Sequence, residues 1–439
     1  MNSQLDYRAI ATFCAIGFFL DDDTYYLEDK FQFNASASGK WLGDFQKFNW
    51  YYDPKPISLE DATKQFSELL DRVVDKQVGE RNVILPLSGG LDSRTLASSL
   101  YKLGKKVTGF SYQFPNGVEE TKYAKQIAKV CGFPIETRTV PEGYLWNKID
   151  ELALLNHCYT DFTHPRQMAF ANEVGKQGEV ICLGHWGDVL FDGSGVPDDI
   201  SFEKQVDKVL QKIIKKGGAD LAEDLWKTWE LEGRWIDYFR ERVSRLLKSI
   251  PIENSANARI RAFKSRYWAT RWTAANFTIF EKSNPVIAPF YDTRFCDFIC
   301  KIPESILNSR QIQIQYLLKY APDLARITWQ AKRPYNLFNY HNNTTPWNLP
   351  FRVYDKFYRS LKGMVGQKWI QRNWEIQFQG KSNESNLYSH LQELVKHDLI
   401  PGSIIQKYYN LFLQSDPVKY AHPVSMLLTV SLFSKYKKA

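Results

Sequence analysis

The 439-residue sequence has no Cys-x-x-Cys pair, no apolar run long enough to cross a bilayer and no block of like charge. Its six cysteines stand singly in apolar surroundings, at Cys14, Cys131, Cys158, Cys182, Cys296 and Cys300. This pattern excludes a disulfide framework and predicts reduced, buried thiols. Cys296 and Cys300 lie one helical turn apart, but no third ligand is nearby to complete a metal site.

The first residues also lack the basic-then-apolar pattern of a secretion signal. Together with the short apolar runs, this predicts a cytoplasmic protein without a membrane segment.

Charge is modest and mixed. The sequence has 57 Lys and Arg against 49 Asp and Glu, a formal net charge of +8, and the basic residues are scattered among acids. This favours an anionic small-molecule, peptide or sugar substrate over a dedicated nucleic-acid binder.

A Walker phosphate-binding loop is missing too. Gly380-Lys381-Ser382 is no substitute, because Glu375 stands where that motif needs its first glycine.

A different phosphate-binding pattern lies between Asn82 and Ala97, where an apolar run meets Ser88-Gly-Gly-Leu-Asp-Ser93 and then a helix-forming run. Gly89 and Gly90 can take backbone angles closed to other residues, which allows a tight loop whose N–H groups point at an anion, and the following helix presents its positive end there. Asp92 beside a phosphate makes electrostatic sense if Mg²⁺ lies between them. The predicted ligand is Mg-nucleotide or pyrophosphate; the alternative is an ordinary glycine-rich turn.

Strand and helix patterns alternate after this loop, with strands predicted at Lys106 to Gln113, Ile135 to Thr139 and Glu179 to Leu183. Such alternation predicts an α/β fold with a doubly wound parallel sheet, whose ligands bind at the carboxyl ends of the strands. Ser88, Tyr112 and Gly184 fall at these ends, so we expect them to surround one nucleotide.

Ser88-Gly-Gly-Leu-Asp-Ser93 resembles the pyrophosphate loop of the ATP pyrophosphatases, in the form used by asparagine synthetases. Leu183-Gly-His-Trp-Gly-Asp-Val-Leu-Phe-Asp-Gly193 resembles the asparagine synthetase signature Ser-Gly-Glu-Gly-Ala-Asp-Glu-Leu-Phe-Gly-Gly. The resemblance implies that Asp188 shares Mg²⁺ with Asp92. His185 and Trp186 depart from it, and His185 is open to a site role or a structural one.

Two later segments continue the resemblance in the family's order. Pro289, Phe290 and Asp292 match the stretch ending Val-Pro-Phe-Leu-Asp, but the family acid that helps deprotonate the amine falls on Pro285. Glu281 is the candidate replacement, although solvent exposure or a helix-surface pairing with a neighbouring cation fits it at least as well. Ile327 to Pro334 resembles the run Leu-Trp-Arg-Gln-Lys-Glu-Gln and gives Lys332, with Arg333 as fallback, a role in neutralising the departing pyrophosphate.

Three regions are expected. Residues 1–57 are predicted to be a β-rich segment resembling a truncated glutaminase domain; Met1 is followed by Asn2 rather than the nucleophilic cysteine, so glutamine hydrolysis is not expected. Residues 58–335 resemble the synthetase domain. Residues 336–439 form a mostly helical extension that matches nothing specific, with helices predicted at Val353 to Lys362, Lys368 to Phe378 and Pro417 to Tyr436.

The resemblance implies an ATP- and Mg²⁺-dependent amide-forming ligase: a carboxylate is adenylated, pyrophosphate leaves, and ammonia or an amine displaces AMP. The nitrogen would come from ammonia, a partner glutaminase or the acceptor itself, as in β-lactam or lasso-peptide cyclising enzymes and sugar-acid amidating members. A tRNA-modifying enzyme and a non-catalytic nucleotide-binding protein stay open as alternatives. The candidate catalytic, nucleotide-binding and metal-binding residues are Lys332, Glu281, Leu87, Ser88, Gly89, Gly90, Asp92, Ser93, Tyr112, Gln113, Gly184 and Asp188.

Overall fold

A computed structural model describes residues 4–115, 117–163, 166–364, 377–395 and 399–436. The predicted helix from Lys368 to Phe378 lies mostly outside these ranges. The α-helices, in chain order, are α1 Tyr7–Ile16, α2 Ala37–Gln46, α3 Leu59–Val78, α4 Leu91–Lys102, α5 Glu120–Cys131, α6 Tyr144–Asn156, α7 Ala171–Val174, α8 Gly187–Leu190, α9 Phe202–Ile213, α10 Gly218–Thr228, α11 Trp235–Lys248, α12 Ala256–Phe263, α13 Thr270–Glu281, α14 Thr293–Cys300, α15 Glu304–Leu307, α16 Gln311–Tyr320, α17 Pro322–Arg326, α18 Leu349–Met364, α19 Lys381–Val395, α20 Gly402–Gln414 and α21 Pro417–Tyr436.

A parallel five-stranded sheet forms the centre of the fold and confirms the predicted α/β class. Its strands are β1 Val83–Pro86, β2 Val107–Gln113, β3 Ile135–Thr139, β4 Val180–Cys182 and β5 Val286–Ile287. They lie in the order β3-β2-β1-β4-β5, and every pair is parallel. The chain builds outwards from β1 in one direction and then in the other, so the sheet has its topological switch point between β1 and β4.

Helix α3 directly precedes the sheet, and its sequence explains where it begins and which face it buries. The Ser58 hydroxyl accepts a hydrogen bond from the Asp61 N–H (3.0 Å) and caps α3. Buried Phe66, Leu70 and Val73 recur at helical spacing along α3 and fix its inner face. The chain therefore enters β1 from a helix that is already anchored on the core.

The described part of the amino-terminal segment consists of two helices and irregular chain, so the expectation of a β-rich segment over residues 1–57 is wrong. Its described part contains α1 and α2, and only two isolated β-bridges involve it. Asp6 caps α1 by accepting from the Ala9 N–H (2.9 Å), and Gly17 ends it with φ 82°. A short apolar run bounded in this way is a buried helix, which periodicity alone cannot separate from a strand.

The two ends of the chain share one hydrophobic core with the sheet. The Tyr25 ring stacks on the Phe433 ring of α21 at 3.6 Å between centroids. The His422 Nε2 lies 2.9 Å from the Cys14 carbonyl oxygen, which joins α21 to α1. The described cysteines are all buried as free thiols.

The chain is helical without interruption from Ala256 to Glu281. This stretch consists of α12, a π-helical segment Lys264–Ala269 and α13. π-Helical turns inside α-helices are rare and are frequent at functional sites, because the extra residue turns side chains out of the regular register.

Candidate functional site

A cavity of about 740 Å³ opens at the carboxyl ends of β1, β2 and β4, at the switch point of the sheet. Its lining includes four residues of the Leu87 to Ser93 loop, although not Gly89 or Gly90, and also Lys264 and Trp268 of the π-helical segment. Among the residues predicted from the sequence, it is lined by Leu87, Ser88, Asp92, Ser93, Tyr112, Gly184 and Asp188. This is the position at which sheets of this type bind their ligands.

The Ser88–Ser93 loop is held by its own hydroxyls. The Ser88 N–H donates to Ser93 Oγ (3.2 Å), and the Gly90 N–H donates to Ser88 Oγ (3.3 Å). Gly90 caps α4, so the first turn of that 12-residue helix begins at the cavity. The loop therefore uses the Ser88 and Gly90 N–H groups to hold its own shape, and it offers two hydroxyls and a helix N-terminus to an anion.

The glycines of this loop serve close approach and not the unusual backbone angles that we expected. Neither Gly89 nor Gly90 has a positive φ. A Cβ atom on Gly89 would lie 2.7 Å from the Gln330 side chain and 3.0 Å from that of Tyr123. Glycine is needed here because the segment that carries Lys332 packs directly on the loop.

Arg94 joins that segment to the loop. Its buried guanidinium donates to the carbonyl oxygens of Leu324 (3.2 Å), Ile327 (3.0 Å), Thr328 (3.0 Å) and Gly89 (3.4 Å). Burial lowers the pKa of Arg94 to about 10, yet the group stays charged at neutral pH. Arg94 was not among the predicted site residues, although it directly follows Ser93 of the motif.

Asp92 is the charged centre of the site. Its Oδ1 accepts from Gln313 Nε2 (3.1 Å) and forms an ion pair with Arg310. Burial raises the pKa of Asp92 against the opposing effect of Arg310, and the neighbouring Asp188 carboxylate raises it further. A carboxylate pair of this kind attracts a cation, and oxygen ligands suit Mg²⁺.

Arg310 is held over Asp92 by a strained turn. Ser309 and Arg310 are consecutive non-glycine residues with φ 57° and 60°. The Ser309 N–H donates to Asp192 Oδ1 (2.7 Å), which stabilises the turn just before α16. Strain of this kind costs of the order of 1–3 kcal/mol per residue and is concentrated at functional sites.

The second motif packs on Asp92 through two glycines. A Cβ atom on Gly184 would lie 3.1 Å from Asp92 Cβ, and one on Gly187 would lie 2.2 Å from Asp92 Oδ1. Asp188 follows in the first turn of α8 and faces the cavity. The two motifs therefore meet at the pair of carboxylates, where Asp92 and Asp188 would hold Mg²⁺.

His185 and Trp186, the departures from the resemblance, both line the cavity. Burial lowers the pKa of His185 to about 4, and its ring lies 5.7 Å from that of Phe277, so the imidazole is neutral. Trp186 has φ 76° at a position where the signature has glycine. Because glycine readily adopts a positive φ, the glycine of the signature was the indication in the sequence that this position has one.

Four basic side chains that were not predicted as site residues also line the cavity. They are Arg166, Lys212, Lys215 and Lys264. The Arg166 charge acts against the increase in pKa that burial causes at Tyr112 and Glu120. Their placement depends on how the helical layer folds over the sheet, which local pattern does not reveal.

Other predicted residues lie near the site or away from it. Lys332 ends the 3₁₀ turn Gln330–Lys332, with its Nζ 5.9 Å from the Trp329 ring, and does not line the cavity. Gln113 accepts from Thr121 Oγ1 (2.7 Å) and is not a lining residue either.

Glu281 is not brought to the cavity. Its carboxylate accepts from Asn34 Nδ2 (3.1 Å), from Ser36 Oγ (2.9 Å) and from Ser38 Oγ, all at the start of α2. It therefore fastens the amino-terminal segment to the end of α13, a pairing with hydroxyls and not with the cation that we considered.

Within the described ranges, no helix is both long and apolar enough to cross a membrane. The same residues include no group of three or more His, Cys, Asp or Glu side chains arranged to hold a metal alone. A metal at Asp92 and Asp188 would need oxygen atoms from a substrate, as Mg²⁺ sites on nucleotides commonly have.

Residues 65–345 match the family model described as asparagine synthase. This match covers well over half of the chain, so the protein belongs to the asparagine synthase family. Membership supports an ATP-using enzyme of the ligase or synthetase type.

More distant similarities were also found. The tRNA-specific 2-thiouridylase MnmA from Ehrlichia canis (strain Jake) is 38% identical over 118 residues, which are 25% of this chain and 31% of that protein. The chain thus matches less than a third of that relative. NMN synthetase from Francisella tularensis superposes over 48% of this chain and 94% of its own, with 13% identity and a TM-score of 0.22. NAD+ synthetase from Burkholderia pseudomallei superposes over 51% of this chain and 95% of its own, with 14% identity and a TM-score of 0.20.

Proposed function

We propose that this chain is an ATP-dependent amide-forming ligase that activates a carboxylate as its acyl-adenylate, releases pyrophosphate, and transfers the acyl group to ammonia or an amine. The observation that carries the proposal is the meeting of the Ser88–Ser93 loop with the Asp92 and Asp188 carboxylates in one cavity. ATP would lie with its β- and γ-phosphates on the loop and its base toward Tyr112 and Gly184.

The first half-reaction follows from this placement. A substrate carboxylate oxygen attacks the α-phosphorus, the bond from that phosphorus to the bridging oxygen breaks, and pyrophosphate leaves toward the loop. The Ser88 and Ser93 hydroxyls and the N-terminus of α4 would lie where its negative charge collects. Mg²⁺ held by Asp92 and Asp188 would supply further charge neutralisation.

Lys332 would add a positive charge to the leaving pyrophosphate. It stands four residues after Thr328, whose carbonyl is fixed by Arg94. Its ammonium lies at the end of a flexible side chain, which suits a group that follows a departing anion. In this scheme Arg94 is a positioning residue, because it acts through the segment that carries Lys332.

The second half-reaction requires an amine that loses a proton. Glu281 makes its contacts away from the cavity, and the neutral His185 imidazole lies inside it. The amine could be ammonia, released by a separate glutaminase or free, or a group on the acceptor itself, as in a cyclising β-lactam- or lasso-peptide-type synthetase or a sugar-acid amidating enzyme. We place the chemistry in residues 58–335 of a cytoplasmic protein, with residues 336–439 closing the fold.

A catalytically degenerate nucleotide-binding protein is the second candidate. The specific observation in its favour is the ion pair between Arg310 and Asp92, which occupies the carboxylate where Mg²⁺ is expected. If this pair persists, the chain binds ATP without turnover.

The test is pyrophosphate release from Mg-ATP, screened over aspartate, sugar acids and carboxylated peptides with ammonia present. Release that depends on one carboxylate and disappears in Asp92→Asn supports the ligase. ATP binding with no release across the panel favours the second candidate.

A further inference from the structure

Beyond Asp188, the cavity is bounded by a wall of lysine and tryptophan side chains. We call it the lysine–tryptophan wall and define it as Lys212, Lys215, Lys264, Trp186, Trp268 and Trp272, all of which line the cavity. Lys264 and Trp268 lie in the π-helical segment and Trp272 at the start of α13; Lys212 lies near the end of α9, Lys215 just after it, and Trp186 just before α8. None of its residues has a role in the phosphate chemistry proposed above.

The tryptophans of the wall are rigidly placed. The Trp186 indole N–H donates to Ser265 Oγ (3.1 Å), and its ring meets that of Trp268 edge to face at 5.7 Å. Phe18 stacks parallel to Trp268, with 5.8 Å between centroids. Trp186 adopts this position at a strained φ of 76°, and an observed strain of this kind points to a local function.

The lysines give the wall its charge. The Lys215 and Lys264 ammonium groups lie 5.4 and 5.7 Å from the centroid of the Trp268 ring. Burial lowers the pKa of Lys264 to about 8, although the Asp188 and Asp192 carboxylates act in the opposite direction. A partly buried cation gains from an anionic ligand, because a charge-assisted hydrogen bond is stronger where water is excluded.

We infer that the lysine–tryptophan wall binds the acceptor substrate, and that this acceptor is a flat, ring-bearing carboxylate with a second anionic group. The inference rests on the proposed function, which places the reacting carboxylate near Asp188. Indole rings favour a flat partner, and the lysines take the anionic group that does not react. A nucleotide does not need these cations, because its phosphates lie on the opposite loop.

The test compares isophthalate, which has two carboxylates on one ring, with benzoate, which has one. Both are titrated calorimetrically into the full chain with Mg²⁺ and a non-hydrolysable ATP analogue bound. We expect isophthalate to bind at least about tenfold more tightly. Lys264→Met should abolish this ratio, and Trp272→Leu should weaken both ligands alike.

Lys216→Met is the matched control. Lys216 is an exposed lysine next to Lys215 that does not line the cavity, so its loss should leave the ratio intact. Equal affinities in the unchanged protein, a ratio that survives Lys264→Met, or failure of both ligands to bind would overturn the inference. Failure of the ATP analogue to bind, measured first in the same samples, would instead count against the proposed function.

Discussion

Replacing Arg94 by Met should loosen the phosphate loop and destabilise the protein. The substitution removes donors from four carbonyl oxygens, three of them at 3.0–3.2 Å and one at 3.4 Å. Hydrogen bonds from a charged donor contribute about 1.5–3 kcal/mol each, but these share one guanidinium whose burial is itself unfavourable. We therefore expect a loss of about 3 kcal/mol in the free energy of unfolding, below the simple sum.

Urea unfolding followed by circular dichroism measures this loss, and pyrophosphate release measures the effect on chemistry. Because Arg94 also fixes the segment that carries Lys332, we expect turnover to fall at least about tenfold in protein that is still folded. Arg94→Lys should be intermediate, since one ammonium cannot reach all four acceptors.

Arg326→Met is the matched control. Its ion pair with Asp323 is exposed, with 64% and 71% of the two side chains accessible, so the change should cost under about 0.5 kcal/mol. A loss below about 1 kcal/mol for Arg94→Met, or the same turnover as in Arg326→Met, would refute the positioning role of Arg94.

Three further substitutions test other parts of the site. Gly187→Ala should weaken Mg-ATP binding at least about tenfold by calorimetry, because the new Cβ atom would lie 2.2 Å from Asp92 Oδ1. Gly43→Ala is the control and should not change the affinity, because its Cβ atom would lie 3.5 Å from the nearest atom, in the Phe33 side chain. Glu281→Gln should lower the free energy of unfolding in urea by about 1–2 kcal/mol and leave Mg-ATP affinity unchanged. Burial lowers the pKa of His185 from 6.5 to about 4 in the folded state. Between these two pH values the unfolded state binds more protons, so acid favours unfolding. The difference in free energy of unfolding between the unchanged protein and His185→Asn should therefore be constant above pH 6.5 and should fall by up to about 1.4 kcal/mol per pH unit toward pH 4.

Each of these expectations has a contrary outcome. Equal Mg-ATP affinities of Gly187→Ala and Gly43→Ala would show that the two motifs do not depend on close packing at Asp92. Loss of pyrophosphate release in a stable Glu281→Gln protein would show that Glu281 takes part in the reaction. Parallel pH profiles with and without His185 would mean that its imidazole is not held neutral by burial.

The phosphate loop and the second motif could be brought together from the sequence alone. Both directly follow predicted strands, and the carboxyl ends of parallel strands meet at one edge of the sheet. The structure adds the contacts of Gly184 and Gly187 with Asp92, which depend on atomic distances that no motif contains.

The helical side of the cavity could not be predicted in this way. Lys264 lines the cavity at the start of a π-helical segment, which shifts the helix register by one residue. The pattern of apolar residues does not indicate this shift. Glu281 illustrates the same limit, since its partners Ser36 and Ser38 are more than 200 residues away in sequence. Tertiary contacts decided both positions.

The amino-terminal segment shows where local pattern was ambiguous. The apolar run from Ala9 to Ile16 fits a buried strand or a short buried helix. The caps at Asp6 and Gly17 decide for the helix, and both residues were visible in the sequence as helix-ending signals.

The central claim is that a carboxylate attacks the α-phosphorus of ATP in this cavity. It is tested most directly by supplying the active acceptor with oxygen-18 in its carboxylate and analysing the products by mass spectrometry. Transfer of one labelled oxygen to AMP, with unlabelled pyrophosphate, is the predicted result. Label in inorganic phosphate with ADP as the other product would mean attack at the γ-phosphorus, and would contradict the account.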